Sequence, residues 1–265
     1  MYNLIKADLF KLRKSMAIKI LLGITTVSSI AMIMMAYLLQ QGKLSASASG
    51  LGFMFSDANM ISILGAGVAS IIICGDFDNR TIHEAIVNGN SRVKVVISKS
   101  ITFCCGLFII LLPYIIVTAI AISTGYKYNM GQVSVGFLNI ITLEAGKAIS
   151  TSQVWKLLII MLALAILYAA QLSICIPFAI SFKKPVVVVP VYYGIVLFCT
   201  QLSRLEKTSK VFKNIYELTP YEGKYSLMSL SAGTNDIIKA IAVSLTFMII
   251  MLTITCFVFR KAEIK

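Results

Sequence analysis

The chain holds a single histidine, His83, and it stands beside Glu84 with Asp76 and Asp78 a few residues upstream. An imidazole among carboxylates is the composition of a metal site or of a general acid–base pair. A metal site needs three or four ligands in convergent geometry, and these four residues are the whole local supply. We therefore expect no metal, and His83 reads as a solvated helix residue. Three Gly-Lys pairs, at Gly42, Gly146 and Gly223, lack the upstream glycine and the following Ser or Thr of a P-loop. A serine without a base nearby is no nucleophile. The cysteines (74, 104, 105, 175, 199 and 256) fall in or beside apolar runs without metal-ligand or disulfide-framework spacing, and read as small buried hydrophobes. No catalytic, cofactor-binding or metal-binding residue is predicted in this chain.

His83 and its neighbours belong to a compact polar island, Gly75 to Lys99, between two long apolar runs. A segment like this lies in water on one side of a bilayer. Thr81-Ile82-His83-Glu84 fits a capping box. Ile82, Ala85, Ile86 and Gly89 then recur with helical spacing. Asn88-Gly89 supplies a left-handed stop, and Asn90 or Ser91 can cap a second helix that leads into the membrane. The expectation is a short helix, a tight turn and a second helix.

Composition fixes the setting. Of 265 residues, 58% are hydrophobic and 13% charged, against roughly 25% charged in soluble domains. The chain is expected to be an all-α integral membrane protein with one domain over 1–265 and six spans near 17–39, 53–74, 100–122, 154–182, 186–202 and 237–259. Met1 to Lys14 is amphipathic and basic and suits a helix lying on the membrane face. Ser45 to Ser49 resembles a small-residue cleavage site, but the preceding run is too long for a secretory h-region, so an uncleaved anchor is preferred. Gly65, Gly67 and Ala69 give span two a small-residue face, for packing within the subunit or against a second one. Pro113 is expected to kink span three. A short surface helix is expected near 137–143, and Ser150 offers a cap for span four.

Lys183-Lys184-Pro185 makes a very tight turn. Helical spacing recurs within 203–218, and Thr219 to Glu222 reads as a second capping box. Tyr216, Tyr221 and Tyr225 are expected at headgroup level. The net charge of +13 fits basic residues flanking spans; no nucleic-acid signature is present. The greater part of the 24 Lys and Arg falls on the inner side when both termini are cytoplasmic. No Asp, Glu, His or Arg lies well inside an apolar run, which disfavours an ion-coupled carrier.

The run Asp76-Phe77, Asn79, Thr81-Ile82, Gly89, Ser91-Arg92, Lys94 and Ser98-Lys99 resembles the segment after the second span of ABC-2 type permeases, the membrane subunits of ATP-driven exporters. Arg80 departs from the pattern, standing where relatives usually carry Gly. The resemblance extends to span number and spacing. It implies a cytoplasmic coupling helix between spans two and three, seated in a groove of a separate ATP-binding subunit that carries ATP and Mg. Ile82, Ala85 and Ile86 would anchor it, and Asp76, Asp78, Arg80, Glu84 and Arg92 would set its register. It further implies a second permease, identical or related, outer-face helices between spans five and six, and location in the cell membrane. The small size is similar to members that give immunity or resistance to peptide antibiotics such as lantibiotics and bacitracin, so a peptide antibiotic or an amphipathic, lipid-like molecule is the implied substrate. A non-transporting membrane scaffold or assembly factor is the alternative reading.

Overall fold

A computed structural model describes residues 1–45, 49–131, 134–148, 150–203 and 210–261. Among these residues the secondary structure is helical only. Helix α1 (Tyr2–Lys14) precedes the first span, α2 (Met16–Gln40). The second span is assembled from α3 (Ser49–Met54), α4 (Asp57–Ala69), a π-helical turn (Ser70–Cys74) and α5 (Gly75–Asp78). Then come α6 (Thr81–Val87), α7 (Arg92–Ser123), α8 (Phe137–Glu144), α9 (Thr151–Leu172), α10 (Cys175–Phe182), α11 (Pro185–Leu202), α12 (Lys210–Tyr216), α13 (Gly223–Ser226) and α14 (Thr234–Lys261). Six of the resulting stretches are long and apolar enough to cross a membrane. This is an all-α, multi-pass membrane architecture. The cleavage-like run is described only at its two ends, and residues 204–209 of the 203–218 stretch and the basic Lys265 lie outside the described residues.

The spans alternate in direction, so the bundle has two ends. The near end carries α1, α6, the start of α7, the α10–α11 turn and the end of α14. Arg92 ties it together by donating to the carbonyls of Phe259 and Arg260, both at 2.8 Å. The far end carries α3, α8, α12 and α13. Burial is uneven between spans. In the α9–α10 span 61% of the most apolar window is buried within the chain, against 11% in α11 and in α14. The α9–α10 span is therefore the hub. The outward faces of α11, α14 and α2, where Met16, Ile20, Ile24 and Val27 are exposed, are left for lipid or another subunit.

Span boundaries exceed the apolar runs because polar caps extend the helices. Ser91 and Ser150 do cap α7 and α9, the latter in a capping box with Gln153. Pro113 sits inside α7 without ending it. The fourth span breaks instead at Ser173–Ile174. Pro177 has no N–H to give the Ser173 carbonyl, which takes the Ile176 N–H at 3.1 Å and tightens the turn.

Helix α8 forms where expected but is not on the surface: Phe137, Leu138, Ile140 and Ile141 are buried. Two capping boxes do not form. Thr219 donates its hydroxyl to the Tyr216 carbonyl at 2.8 Å, and the next helix starts only at Gly223. The first box, at Thr81, is treated below. Of the three tyrosines expected at headgroup level, Tyr216 and Tyr225 are buried within the chain and Tyr221 is half-buried. Tyr216, Tyr221 and Tyr225 donate to the carbonyls of Cys199, Gln171 and Glu217. A phenol proton at a buried position needs an acceptor, and these carbonyls supply it.

Candidate functional site: the near-end lever

The polar island folds as α5, α6 and the start of α7. Helix α5 ends at Asp78, and Arg80 takes a left-handed backbone, φ 56°, to start α6. Arg80 thus caps α6, and Thr81 instead turns its hydroxyl to the Asp76 carbonyl at 3.3 Å. The helix stops by a Schellman motif: the Gly89 N–H reaches the Ile86 carbonyl (2.9 Å) and the Asn90 N–H the Ala85 carbonyl (3.2 Å). Gly89 has φ 84°, which a side chain would strain. A left-handed non-glycine costs roughly 1–2 kcal/mol. Arg80→Gly is therefore expected to raise stability by about 1 kcal/mol, read as a higher melting temperature in detergent; an unchanged or lower value would show that the Arg80 side chain repays its backbone.

The sequence-predicted site residues divide into two sets. Ile82 is 3% exposed, and Ala85 and Ile86 pack partly buried against the same core. The apolar face of α6 is turned to its own subunit. Its outer edge shows His83, Glu84, Val87 and Asn88, with Asp78, Asn79 and Arg80 beside it. Arg92 is spent on the end of α14, where its guanidinium also lies 5.8 Å from the Phe259 ring. The small-residue face also divides. A Cβ on Gly65 would collide with Leu172, so this glycine serves packing inside the chain, and Ala69 is fully buried. Gly67 has open space beside it.

Asp76 is the centre of something the sequence did not announce. It is 2% exposed and forms ion pairs with Lys11 of α1 and Lys99 of α7. Lys99 also reaches Asp8 of α1 at 2.5 Å, and the Ser98 hydroxyl donates to the other oxygen of Asp8 at 2.7 Å. Two carboxylates and two ammonium groups thus lock α1, α5 and α7 together below α6. Ion pairing is what allows charges to be buried at all. A signal was available: Asp8 is the one acid in an otherwise basic helix, and Lys99 closes the polar island.

A second buried acid sits at the far end. Asp57, fully buried, accepts from the backbone N–H of Phe137 (2.8 Å) and Leu138 (3.4 Å) and from the Tyr168 hydroxyl (2.5 Å). It caps the start of α8 from another helix. The expectation that no acid lies well within an apolar run overlooked it, because Asp57 is only four residues inside the predicted edge of span two.

Compared with protein-family models and with curated proteins, the chain matches none. A short helix tied at both ends, displayed at one end of a bundle and clamped through α5 and α7 to two spans, is suited to transmit a push.

Proposed function

We propose that this chain is the membrane-spanning permease subunit of an ATP-driven exporter of the ABC-2 type, working with a separate ATP-binding subunit that carries ATP and Mg and with a second permease. One observation carries the reading: α6 is preformed, and force on it has a short path into spans two and three. Under this reading the near end faces the cytoplasm of a cell-membrane protein, with both termini inside. The outer edge of α6, Glu84 and Val87 with Asp78 and Arg80, docks on the ATPase, and charge complementarity fixes its register. Ile82 and Asp76 hold the helix to its own spans. Closure of two ATPases around ATP then rocks those spans and shifts the balance between inward- and outward-open states. A peptide antibiotic or amphipathic molecule is the substrate class we assign.

Val87 is 72% exposed, so Val87→Asp tests docking without touching the fold. A P-loop ATPase is expected to co-purify with the wild type from native membranes. The variant is expected to lose about thirtyfold in affinity for it, with an unchanged melting temperature. Purification of the wild type without any nucleotide-hydrolysing chain would favour the scaffold reading instead.

A further inference from the structure

A cavity of about 370 Å³ lies at the far end, between α4, α9, α11 and the chain around α12 and α13. None of its described lining residues carries a charge. Its polar wall has a consistent direction. The hydroxyl of Tyr168 donates to Asp57, that of Tyr193 to the Asn59 side-chain oxygen at 3.2 Å, and that of Tyr221 to the Gln171 carbonyl at 2.8 Å. Ser62 and Thr200 turn their protons to the carbonyls of Ala58 and Val196. These hydroxyl protons are spent on the protein, so the cavity is offered oxygen lone pairs. The rest of the wall is apolar, with Phe53, Val196, Leu197 and Leu227.

We infer that this cavity binds an amphiphile with a primary ammonium head. A wall of acceptors rewards a ligand that brings its own donors, and an ammonium brings three. Tyrosine rings add attraction for a cation. Asp57, directly behind Tyr168, draws on the phenol proton and makes that oxygen a better acceptor. An anionic head would meet the lone pairs of Tyr168, Tyr193, Tyr221, Ser62 and Thr200, whose protons are turned away from it. The apolar wall takes the chain of the ligand. The volume is in the range of small-molecule sites, roughly 300–1,000 Å³.

Cys199 lines the same cavity, whereas Cys104 is exposed on α7 away from it. Both can be followed by peptide mass after N-ethylmaleimide treatment of the full chain in phosphatidylcholine nanodiscs. Dodecylammonium is expected to slow modification of Cys199 by about tenfold and to leave Cys104 unchanged. Dodecyl sulfate and dodecanol at the same membrane concentration are expected to do neither. Tyr193→Phe removes one acceptor and keeps the ring, and should cut the protection at least about threefold. Equal protection by all three amphiphiles would mean that only the tail is read, and would overturn the inference. So would absence of protection, or full protection in Tyr193→Phe. No ATPase is present in this experiment, so its failure leaves the exporter reading intact, and loss of that reading leaves the cavity's selectivity to be judged by this result alone.

Discussion

Replacing Lys99 with methionine will release the amino-terminal helix from the bundle. The ammonium group is buried, with its side chain 7% exposed, and it sits between two carboxylates that are themselves 10% and 3% exposed. Methionine keeps the length and the packing of the stem and removes only the charge. Asp8 then retains the Ser98 hydroxyl alone, and Asp76 retains Lys11, whose side chain is half exposed. Removing one partner of a buried ion pair costs about 3–5 kcal/mol, because the remaining charge stays desolvated. We expect a loss of that size in unfolding free energy, with amide exchange accelerated first in residues 2–14. Adding Asp8→Asn to Lys99→Met removes one stranded charge and should recover part of the loss. That recovery separates electrostatics from packing: a double variant no better than the single would show that the clamp matters only for its shape. If Lys99→Met melts within about 1 kcal/mol of the wild type, the cluster is solvated and does not couple α1 to the lever.

The features legible in the sequence were those whose partners are a few residues away. Six apolar runs, the Schellman stop at Gly89, the Ser91 and Ser150 caps and the Lys183–Pro185 turn all depend on neighbours within about one helical turn. Thr81 was misjudged for a local reason: Arg80 can occupy a left-handed conformation, and once it does the cap moves back one residue. The partners of the tyrosines near α12 and α13 were hidden for a distant one, since the carbonyls that accept from Tyr216 and Tyr221 belong to α11 and α9. The same holds for the two buried acids. Asp8 meets Lys99 across 91 positions, and Asp57 meets Tyr168 across 111. Helical spacing carries no information on such pairs. It also could not tell that Ile82 faces inward, because an amphipathic helix has one apolar face whether that face meets its own subunit or another protein.

Asp57→Leu is expected to be the most damaging single change at the far end. Leucine matches the size of the carboxylate but strips the acceptor from three donors at once: the N–H groups of Phe137 and Leu138 and the hydroxyl of Tyr168. The carbonyl of Ser226, the other acceptor at the start of α8, is already taken by the Gly136 N–H at 2.7 Å. Gly136, the residue before it, has φ 65°, and a Cβ there would run into Asp57 and Tyr168, so the approach is too close for a substitute side chain to fill in. Buried donors left without acceptors cost about 1–3 kcal/mol each. Some relief will come from small shifts, so we expect a net loss of about 3–5 kcal/mol. Asp57→Asn keeps one acceptor oxygen and should lose about 1–2 kcal/mol. Tyr168→Phe removes one donor from a carboxylate that keeps two, and should fall in the same range. The order Leu, then Asn and Phe, is the informative result, together with faster exchange of the amides in 137–144 under Asp57→Leu. A carboxylate that merely filled space would give no such order, since leucine would then be the mildest of the three.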